Sequence, residues 1–192
     1  MPKVIYYVAS SLDGFIATED DDLSWLLQFG FDAFQAHYDQ FLDSVGALVM
    51  GAQTYRWLRA EEPDQWAYEQ PCWVLSHTAH EPPPDGADVR FVSGDIREVH
   101  RAALAAAGGR NVWVVGGGNT AAQFAEAGLL DELWITYMPV ALGTGRRLLP
   151  VASPTRPMHL TATTAFDGGA VELRFAMDSD LPVDRDGISR AG

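Results

Sequence analysis

Short apolar runs alternate along this chain with segments whose apolar residues recur every three or four positions. The runs are rich in β-branched and aromatic residues, which favours strands. The predicted strands cover 4–9, 47–50, 73–75, 89–92, 112–115 and 133–138. The predicted helices cover 31–42, 54–59, 96–107 and 120–127. Strands that alternate with helices predict a mostly parallel sheet with helices on both faces, which is a three-layer α/β/α fold.

The pattern changes after Pro150. Two strand-like runs, 160–166 and 170–177, are joined by Asp-Gly-Gly at 167–169, a turn signal typical of a β-hairpin. We therefore expect an antiparallel strand near the C-terminus. The residues that follow are polar and have no period, so we expect one domain over 1–178 and a flexible tail over 179–192.

The charge balance and the single cysteine narrow the classes of partner. Lys and Arg total 13 against 26 Asp and Glu, so the protein repels phosphate backbones and nucleic acid is not an expected partner. Cys72 is the only cysteine, which excludes an internal disulfide. His77 and His80 lack a third ligand at metal spacing, so no metal is expected. Without a signal-peptide pattern or a long apolar run, we expect a cytoplasmic protein that does not enter membranes.

Two glycine-containing loops each follow a predicted strand and precede a predicted helix. In the first, Gly51 ends the second strand, and the hydroxyl of Thr54 can reach a phosphate oxygen. In the second, at 116–120, three glycines allow a ligand to approach closely, and Asn119 or Thr120 can cap the helix. Helix starts at the carboxyl ends of parallel strands favour bound anions. Neither loop fits GxGxxG or GxxxxGK[ST], so the sequence predicts a different dinucleotide fold.

Four segments resemble one known family. The stretch 114–150, VVGGGNTAAQFAEAGLLDELWITYMPVALGTGRRLLP, resembles the RibD C-terminal domain and its stand-alone relatives, which share the dihydrofolate reductase fold. Three earlier segments are similar to motifs of that family and come in the same order: SLDGFIA at 11–17, VMGAQTY at 49–55 and LSH at 75–77. The resemblance extends over about residues 2–177 and implies a dihydrofolate reductase-like fold.

The resemblance implies that this fold binds NADPH. The two glycine loops hold the pyrophosphate from either side, and the residues after the third predicted strand lie beside the phosphate on the adenosine ribose. Dihydrofolate reductases often carry Arg where this chain has Ala52, so one cation for that phosphate is missing. The residues implied to bind the cofactor are Ala9, Ile16, Gly51, Gln53, Thr54, Ser76, His77, Gly116, Gly117, Gly118, Asn119 and Thr120.

Three residues are the predicted catalytic-site residues. Dihydrofolate reductases use an acidic residue at the start of the helix before the second strand, for which Asp32 is the candidate, and Asp there equally suits an N-cap. Asp13 follows the first strand and is expected to face the cleft, although Asp-Gly also serves as a turn. Trp25 lies where the family places its substrate-side wall, and plain packing beneath the cofactor is the alternative.

Three departures from the family pattern bear on the substrate. Riboflavin-pathway reductases have Lys and Glu where this chain has Phe15 and Gly116, and Ala121 replaces a tyrosine of dihydrofolate reductases. The loss of these groups puts both particular substrates in question.

The resemblance implies an NADPH-dependent reductase of a C=N or C=O bond in a small planar substrate that is pterin-like or pyrimidine-like. At the family level this is the 5-amino-6-(5-phosphoribosylamino)uracil reductase type of riboflavin biosynthesis. Dihydrofolate reduction, a non-catalytic nucleotide-binding module and an FMN-binding electron carrier are the alternatives. Relatives in the family are commonly dimers, so a homodimer is expected.

Overall fold

Eight strands form one sheet in the computed structural model, which describes residues 1–78 and 81–177. In sheet order they are β5 (Val89–Val92), β4 (Cys72–Leu75), β3 (Val45–Gly51), β6 (Asn111–Gly116), β1 (Val4–Ser11), β7 (Glu132–Met138), β10 (Val171–Ala176) and β9 (His159–Ala165). Neighbouring strands are parallel except where β10 pairs with β7 and with β9. The predicted mostly parallel sheet with an antiparallel C-terminal strand is confirmed, and that strand lies one place in from the edge.

Helices cover both faces of this sheet. They are α1 (Ser24–Leu27), α2 (Gln35–Asp43), α3 (Ala52–Glu61), α4 (Ile96–Ala106) and α5 (Gly118–Glu126). On one face, α2 and α3 bury Phe41 and Tyr55 in a cluster with Ile5 of β1. On the other face, α4 and α5 bury Val99 and Phe124 in a second cluster. The two apolar clusters lie on opposite sides of the sheet, which confirms the predicted three-layer α/β/α fold.

The helix predicted over 31–42 begins later, at Gln35. Residues 31–34 form a turn in which the backbone N–H of Phe34 donates to the carbonyl of Phe31 at 2.9 Å. These two aromatic residues match a helical period, but they precede the helix. The periodicity therefore extended the predicted helix by one turn too many.

A second, two-stranded sheet joins distant parts of the chain. It pairs β2 (Phe15–Ala17) with β8 (Arg146–Arg147) in an antiparallel ribbon. The sequence pattern predicts neither strand, because three residues and two residues are too few to show an alternation. The ribbon holds the loop after β1 against the segment after β7.

Some predictions concern residues that the structure does not describe, or properties that one chain does not show. The tail predicted over 179–192 and His80 lie outside the described residues. Within 1–78 and 81–177, no helix is long and apolar enough to cross a membrane. In the same ranges, no three His, Cys, Asp or Glu side chains lie together as a metal site requires. The homodimer and the cytoplasmic location stay predictions.

Candidate active site

The carboxyl ends of β3 and β6 form the head of the candidate site. These strands are neighbours and pair in parallel, with Met50 beside Gly116. The helix after β3 packs on one face of the sheet, and the helix after β6 packs on the other. Because the chain leaves adjacent strands in opposite directions, a crevice opens between α3 and α5, as at the switch points of other open α/β sheets.

Glycines let the two loops meet across this crevice. An ideal Cβ on Gly51 would lie 2.9 Å from Oγ1 of Thr120, and one on Gly116 would lie 2.9 Å from Oγ1 of Thr54. Each glycine thus makes room for the threonine of the opposite loop. Gly117 has a φ of 83°, and a Cβ there would lie 3.9 Å from the Gly51 nitrogen. The two turns face each other, and we call this region, Gly51 with residues 116–120, the glycine end.

The helices that begin at the glycine end have no side-chain caps. α3 follows Gly51 and α5 follows Gly117, and neither start receives a capping hydrogen bond from a side chain. By contrast, Asp95 caps α4 and accepts a backbone N–H of its first turn at 2.9 Å. The predicted capping of α5 by Asn119 or Thr120 is wrong, because both residues lie inside the helix. Two uncapped starts at one crevice leave amide donors and partial positive charge available to an anion.

All of the predicted cofactor-binding residues line one cleft that opens from the glycine end. The cleft has a volume of about 1060 Å³, which is at the upper end of the usual range for ligand pockets. The structure therefore brings together segments that are far apart in the chain, while the binding role of each residue stays a prediction. These residues are Ala9, Ile16, Gly51, Gln53, Thr54, Ser76, His77, Gly116, Gly117, Gly118, Asn119 and Thr120.

Asp13 lies outside the lining of that cleft, contrary to the expectation that it faces it. Its carboxylate accepts the Ser11 hydroxyl at 2.6 Å and the backbone N–H groups of Leu142 and Gly143 at 3.0 and 2.6 Å. The Ser11 hydrogen bond, followed by those two, lowers the pKa of Asp13 to about 2. A carboxyl group that is ionised at neutral pH has no proton to give. The geometry favours a role in tying the 142–143 loop to the end of β1.

The other two predicted catalytic residues also lie outside the lining. Asp32 is exposed in the turn before α2 and caps no helix, because Phe34 is the N-cap residue. Trp25 is 7% exposed and packs in a small apolar cluster with Met138. Its neighbour Leu26 lines the cleft instead. For Trp25 the geometry favours plain packing over contact with a substrate.

The ribbon of β2 and β8 places two arginines beside the glycine end. The Nε of Arg146 lies 2.7 Å from a carboxylate oxygen of Asp21, and Gln53 donates to the other oxygen of that carboxylate at 3.2 Å. The Arg147 carbonyl lies 2.1 Å from where a Cβ of Gly118 would stand. The sequence pattern did not predict that these arginines lie beside the glycine end, because it did not predict the ribbon that positions them.

The part of the cleft beside α2 is aromatic. Tyr38 of α2, and Tyr68 from the segment before β4, both stand edge-on to Trp113 of β6, with ring centroids 5.9 and 5.7 Å from it. Burial raises the pKa of both tyrosines, and their phenol groups interact. Phe31 and Trp57 extend this lining. We call these five residues the aromatic end.

A buried carboxylate lies behind the floor of the cleft. Glu172 of β10 is fully buried, with the Nε of Arg174 2.6 Å and the Nε2 of His37 2.9 Å from its oxygens. Its partner across the strands is Thr136, which lines the cleft together with Tyr7. Burial raises the pKa of Tyr7, and the charge of Glu172 adds to this, so the Tyr7 hydroxyl stays protonated at neutral pH.

The cluster of Glu172, Arg174 and His37 was not predicted from the sequence, which gave His37 as an ordinary helix residue. The available signal was the pair Glu172 and Arg174, whose side chains lie on one face of a short strand. A charge pair on a buried strand indicates a satisfied ion pair.

Comparison with known proteins connects this arrangement to one family. The model of the RibD C-terminal domain matches residues 2–171. Over 176 residues the chain is 30% identical to the uncharacterized protein YwjB of Bacillus subtilis (strain 168), covering 90% of this chain and 97% of that one.

Two solved structures are similar to the chain. A putative riboflavin biosynthesis protein from Shewanella sp. PV-4 has a TM-score of 0.76 and 27% identity, over 92% of this chain and 98% of that one. A dihydrofolate reductase from Enterococcus faecalis, complexed with NADP(H) and RAB-propyl, has a TM-score of 0.58 and 15% identity, over 91% and 95% of the two chains. At that identity, the second likeness shows the fold alone.

Proposed function

The chain belongs to the RibD C-terminal domain family, and from that premise we propose that it is an NADPH-dependent reductase. It reduces a C=N or C=O bond in a small planar substrate. The observation that carries the proposal is the meeting of two uncapped helix starts at the glycine end of a single large cleft. The name of one similar protein supports the reaction class, since it refers to riboflavin biosynthesis.

The glycine end fits a dinucleotide diphosphate. A side chain at Gly51 or Gly116 would displace the threonine of the opposite loop, and one at Gly117 would narrow the seam between the loops, so the glycines keep the backbone open to a diphosphate. The hydroxyls of Thr54 and Thr120 are positioned to donate to phosphate oxygens from opposite loops. These donors let an acidic chain bind an anion without a lysine or arginine in either loop.

A preference for NADPH over NADH follows from the two arginines and the imidazole around this end. His77 lines the cleft after β4, and Arg146 and Arg147 line it from β8. An additional phosphate on the adenosine ribose gains charge-assisted hydrogen bonds from such groups. The two arginines supply the positive charge that Ala52, the first residue of α3, lacks.

The bound cofactor supplies a hydride, and the chain supplies position and a dry environment. Hydride transfer needs the two carbons held about 3–3.5 Å apart with water excluded. Leu26, Leu27 and Phe31 form an apolar rim that keeps water from the cleft. At the floor, the protonated hydroxyl of Tyr7 can donate a hydrogen bond to the nitrogen or oxygen of the bond being reduced, with Thr136 beside it. Neither Asp13 nor Asp32 is placed for this role.

Binding and turnover of the dinucleotide test the proposal. We expect NADPH to raise the melting temperature in a saturable way, and NADH to bind at least about tenfold more weakly, a difference of about 1.4 kcal/mol. Gly117→Ala should weaken the effect because its Cβ would stand in the seam between the loops, 3.4 Å from Oγ1 of Thr120, whereas Gly128→Ala, in open space at a similar φ, should not. Absence of binding by either dinucleotide would contradict the proposal.

Two other results would favour a different function. Saturable binding of NADPH without oxidation in the presence of pterin or pyrimidine substrates would favour a nucleotide-binding module. A yellow protein with bound FMN would favour an electron carrier.

A further inference from the structure

The aromatic end of the cleft has no cation. Among the described residues that line the cleft, the ionisable ones other than tyrosines are Asp21, His77, Arg146 and Arg147. Each of these four residues lies near the glycine end. His77 follows β4, which is the neighbour of β3 in the sheet. The two arginines belong to β8, which packs against Gly118, and Asp21 forms an ion pair with Arg146. The lining beside α1 and α2 is formed by Leu23, Leu26, Leu27, Phe31, Phe34 and Tyr38.

The rings of the aromatic end hold one another in place. Trp113 is fixed by a hydrogen bond from its Nε1 to the Tyr7 carbonyl at 3.0 Å. Tyr38 and Tyr68 both contact Trp113 edge-on, and Phe31 contacts Tyr38 with the centroids 5.3 Å apart. Rings that are already fixed lose little conformational entropy when a flat ligand enters. The polar groups at the aromatic end are the phenol groups of the two tyrosines, which interact with each other, and the indole groups of Trp57 and Trp113.

We propose that the aromatic end binds a planar ring that carries no phosphate group, and that Tyr38 and Tyr68 position this ring through their hydroxyls. The inference rests on the proposed function, because this ring is the group that is reduced. It separates the chain from the family-level reaction, whose substrate is a phosphoribosylamino-uracil.

The energetic reason is the cost of burying an unpaired anion. A phosphate monoester carries about −1.5 to −2 charges at neutral pH, and the aromatic end gives it no counter-ion and only uncharged donors. The net charge of -13 repels it further. A flat heteroaromatic ring, in contrast, gains contact with aromatic side chains and hydrogen bonds to two hydroxyls.

Matched ring compounds test the inference. Riboflavin and FMN share a ring and a ribityl chain and differ by one phosphate, and neopterin and its monophosphate repeat the comparison with a smaller ring. With saturating NADP⁺ present to occupy the glycine end, we expect calorimetry to show the unphosphorylated member of at least one pair binding at least about tenfold more tightly. Equal or tighter binding of the phosphorylated members, or no binding in either pair, would overturn the inference.

Variants of the two tyrosines test their role. Tyr38→Phe and Tyr68→Phe should each weaken binding of the ring compound by about twofold to tenfold, the effect of one hydrogen bond, and leave NADP⁺ affinity unchanged. Tyr137→Phe is the matched control, because Tyr137 packs with the apolar cluster on the opposite face of the sheet. Phe31→Ala, at a half-exposed position, should weaken ring binding without risk to the core. Unchanged ring affinity in all three cleft variants would remove these residues from the site.

A gain of phosphate binding is the converse test. Leu27 is 61% exposed at the rim, so Leu27→Lys adds a cation there without disturbing the core. We expect this variant to bind the phosphorylated member at least about threefold more tightly than the wild type does. Failure of NADP⁺ to bind contradicts the proposed function, whereas a preference for the phosphorylated ring in a protein that binds NADP⁺ contradicts this inference alone.

Discussion

The glycine end and the aromatic end belong to one cleft but are built differently. The glycine end comes from two short loops, and its donors are backbone amides and two threonine hydroxyls. The aromatic end gathers single side chains from the turn before α2, from α2, α3 and β6, and from the segment before β4. Backbone donors suit a diphosphate, a group common to many ligands, whereas side chains gathered from separate segments suit one ring. The cleft therefore separates binding of the diphosphate, which many ligands share, from recognition of one particular ring.

Removing Glu172 should have the largest effect on the fold and little effect on the glycine end. Glu172→Ala leaves Arg174 and His37 facing a buried gap, and we expect a loss of about 3–5 kcal/mol in the free energy of unfolding. Chemical denaturation measures it, with exposed Glu61→Ala as a control expected within about 0.5 kcal/mol of the wild type. If folded Glu172→Ala lost NADPH affinity, the two ends would be coupled and the division would fail.

Gly118→Ala should damage both the fold and the glycine end. Its Cβ would meet the Arg147 carbonyl at 2.1 Å and that of Leu148 at 2.9 Å, so the backbone after β8 must move. We expect a loss of about 1–3 kcal/mol in stability together with loss of NADPH binding. Gly118 has no positive φ, so the clash alone accounts for its effect; Gly128→Ala, which lowers stability by about 1 kcal/mol through strain at a φ of 67°, is the control for destabilisation and should keep cofactor affinity intact. Normal NADPH binding by Gly118→Ala would show that the start of α5 is not part of the binding site.

Thr54→Val tests the difference between the two ends by removing a single hydroxyl from the glycine end. Valine keeps the shape that packs over Gly116 but cannot donate to a phosphate. We expect the Kd for NADPH to rise about tenfold, as for the loss of one hydrogen bond to a charged group, while riboflavin affinity stays unchanged. Thr163→Val, at an exposed position on β9, is the matched control. A loss of riboflavin affinity instead would assign Thr54 to the ring.

The smallest effect concerns Asp13, which contacts neither end. Its folded pKa of about 2 lies below the ordinary value of 3.8, so the ionised form ties down the 142–143 loop at neutral pH. This contribution is present above the ordinary pKa and is lost as the pH falls through the folded value. In an NMR titration, the Leu142 and Gly143 amide shifts should move with a midpoint near 2, and should not titrate this way in Asp13→Asn. A midpoint at 3.8 would mean that the loop is not held by this carboxylate.

The glycine end could be predicted from the sequence because it is local. Each loop sits between a strand and a helix that periodicity identifies, and glycine reports close backbone approach at the position where it occurs. That the two loops lie at neighbouring strand ends was implied by the resemblance to the family, because a parallel sheet alone does not fix the order of its strands. The sheet, its three layers and its one antiparallel strand followed from apolar runs.

The aromatic end could not be predicted in this way. Tyr38 and Trp113 read as core residues of a helix and a strand, and Tyr68 lies in a segment with no period. Side chains that meet only through long-range packing leave no local signal. Family position suggested two carboxylates, Asp13 and Asp32, but both lie in exposed turns. The position of a residue in the sequence does not show whether its side chain is buried.

The place of β10 in the sheet has a consequence for how the chain folds during synthesis. β10 inserts between β7 and β9, and it brings the carboxylate that pairs with Arg174 and contacts His37 of α2. Until residues 171–176 leave the ribosome, β7 keeps an unpaired edge, which is a template for pairing with other nascent chains. Protection of that edge therefore depends on the last strand in the described part of the chain, so a polypeptide that stalls before residue 171 would be prone to aggregate.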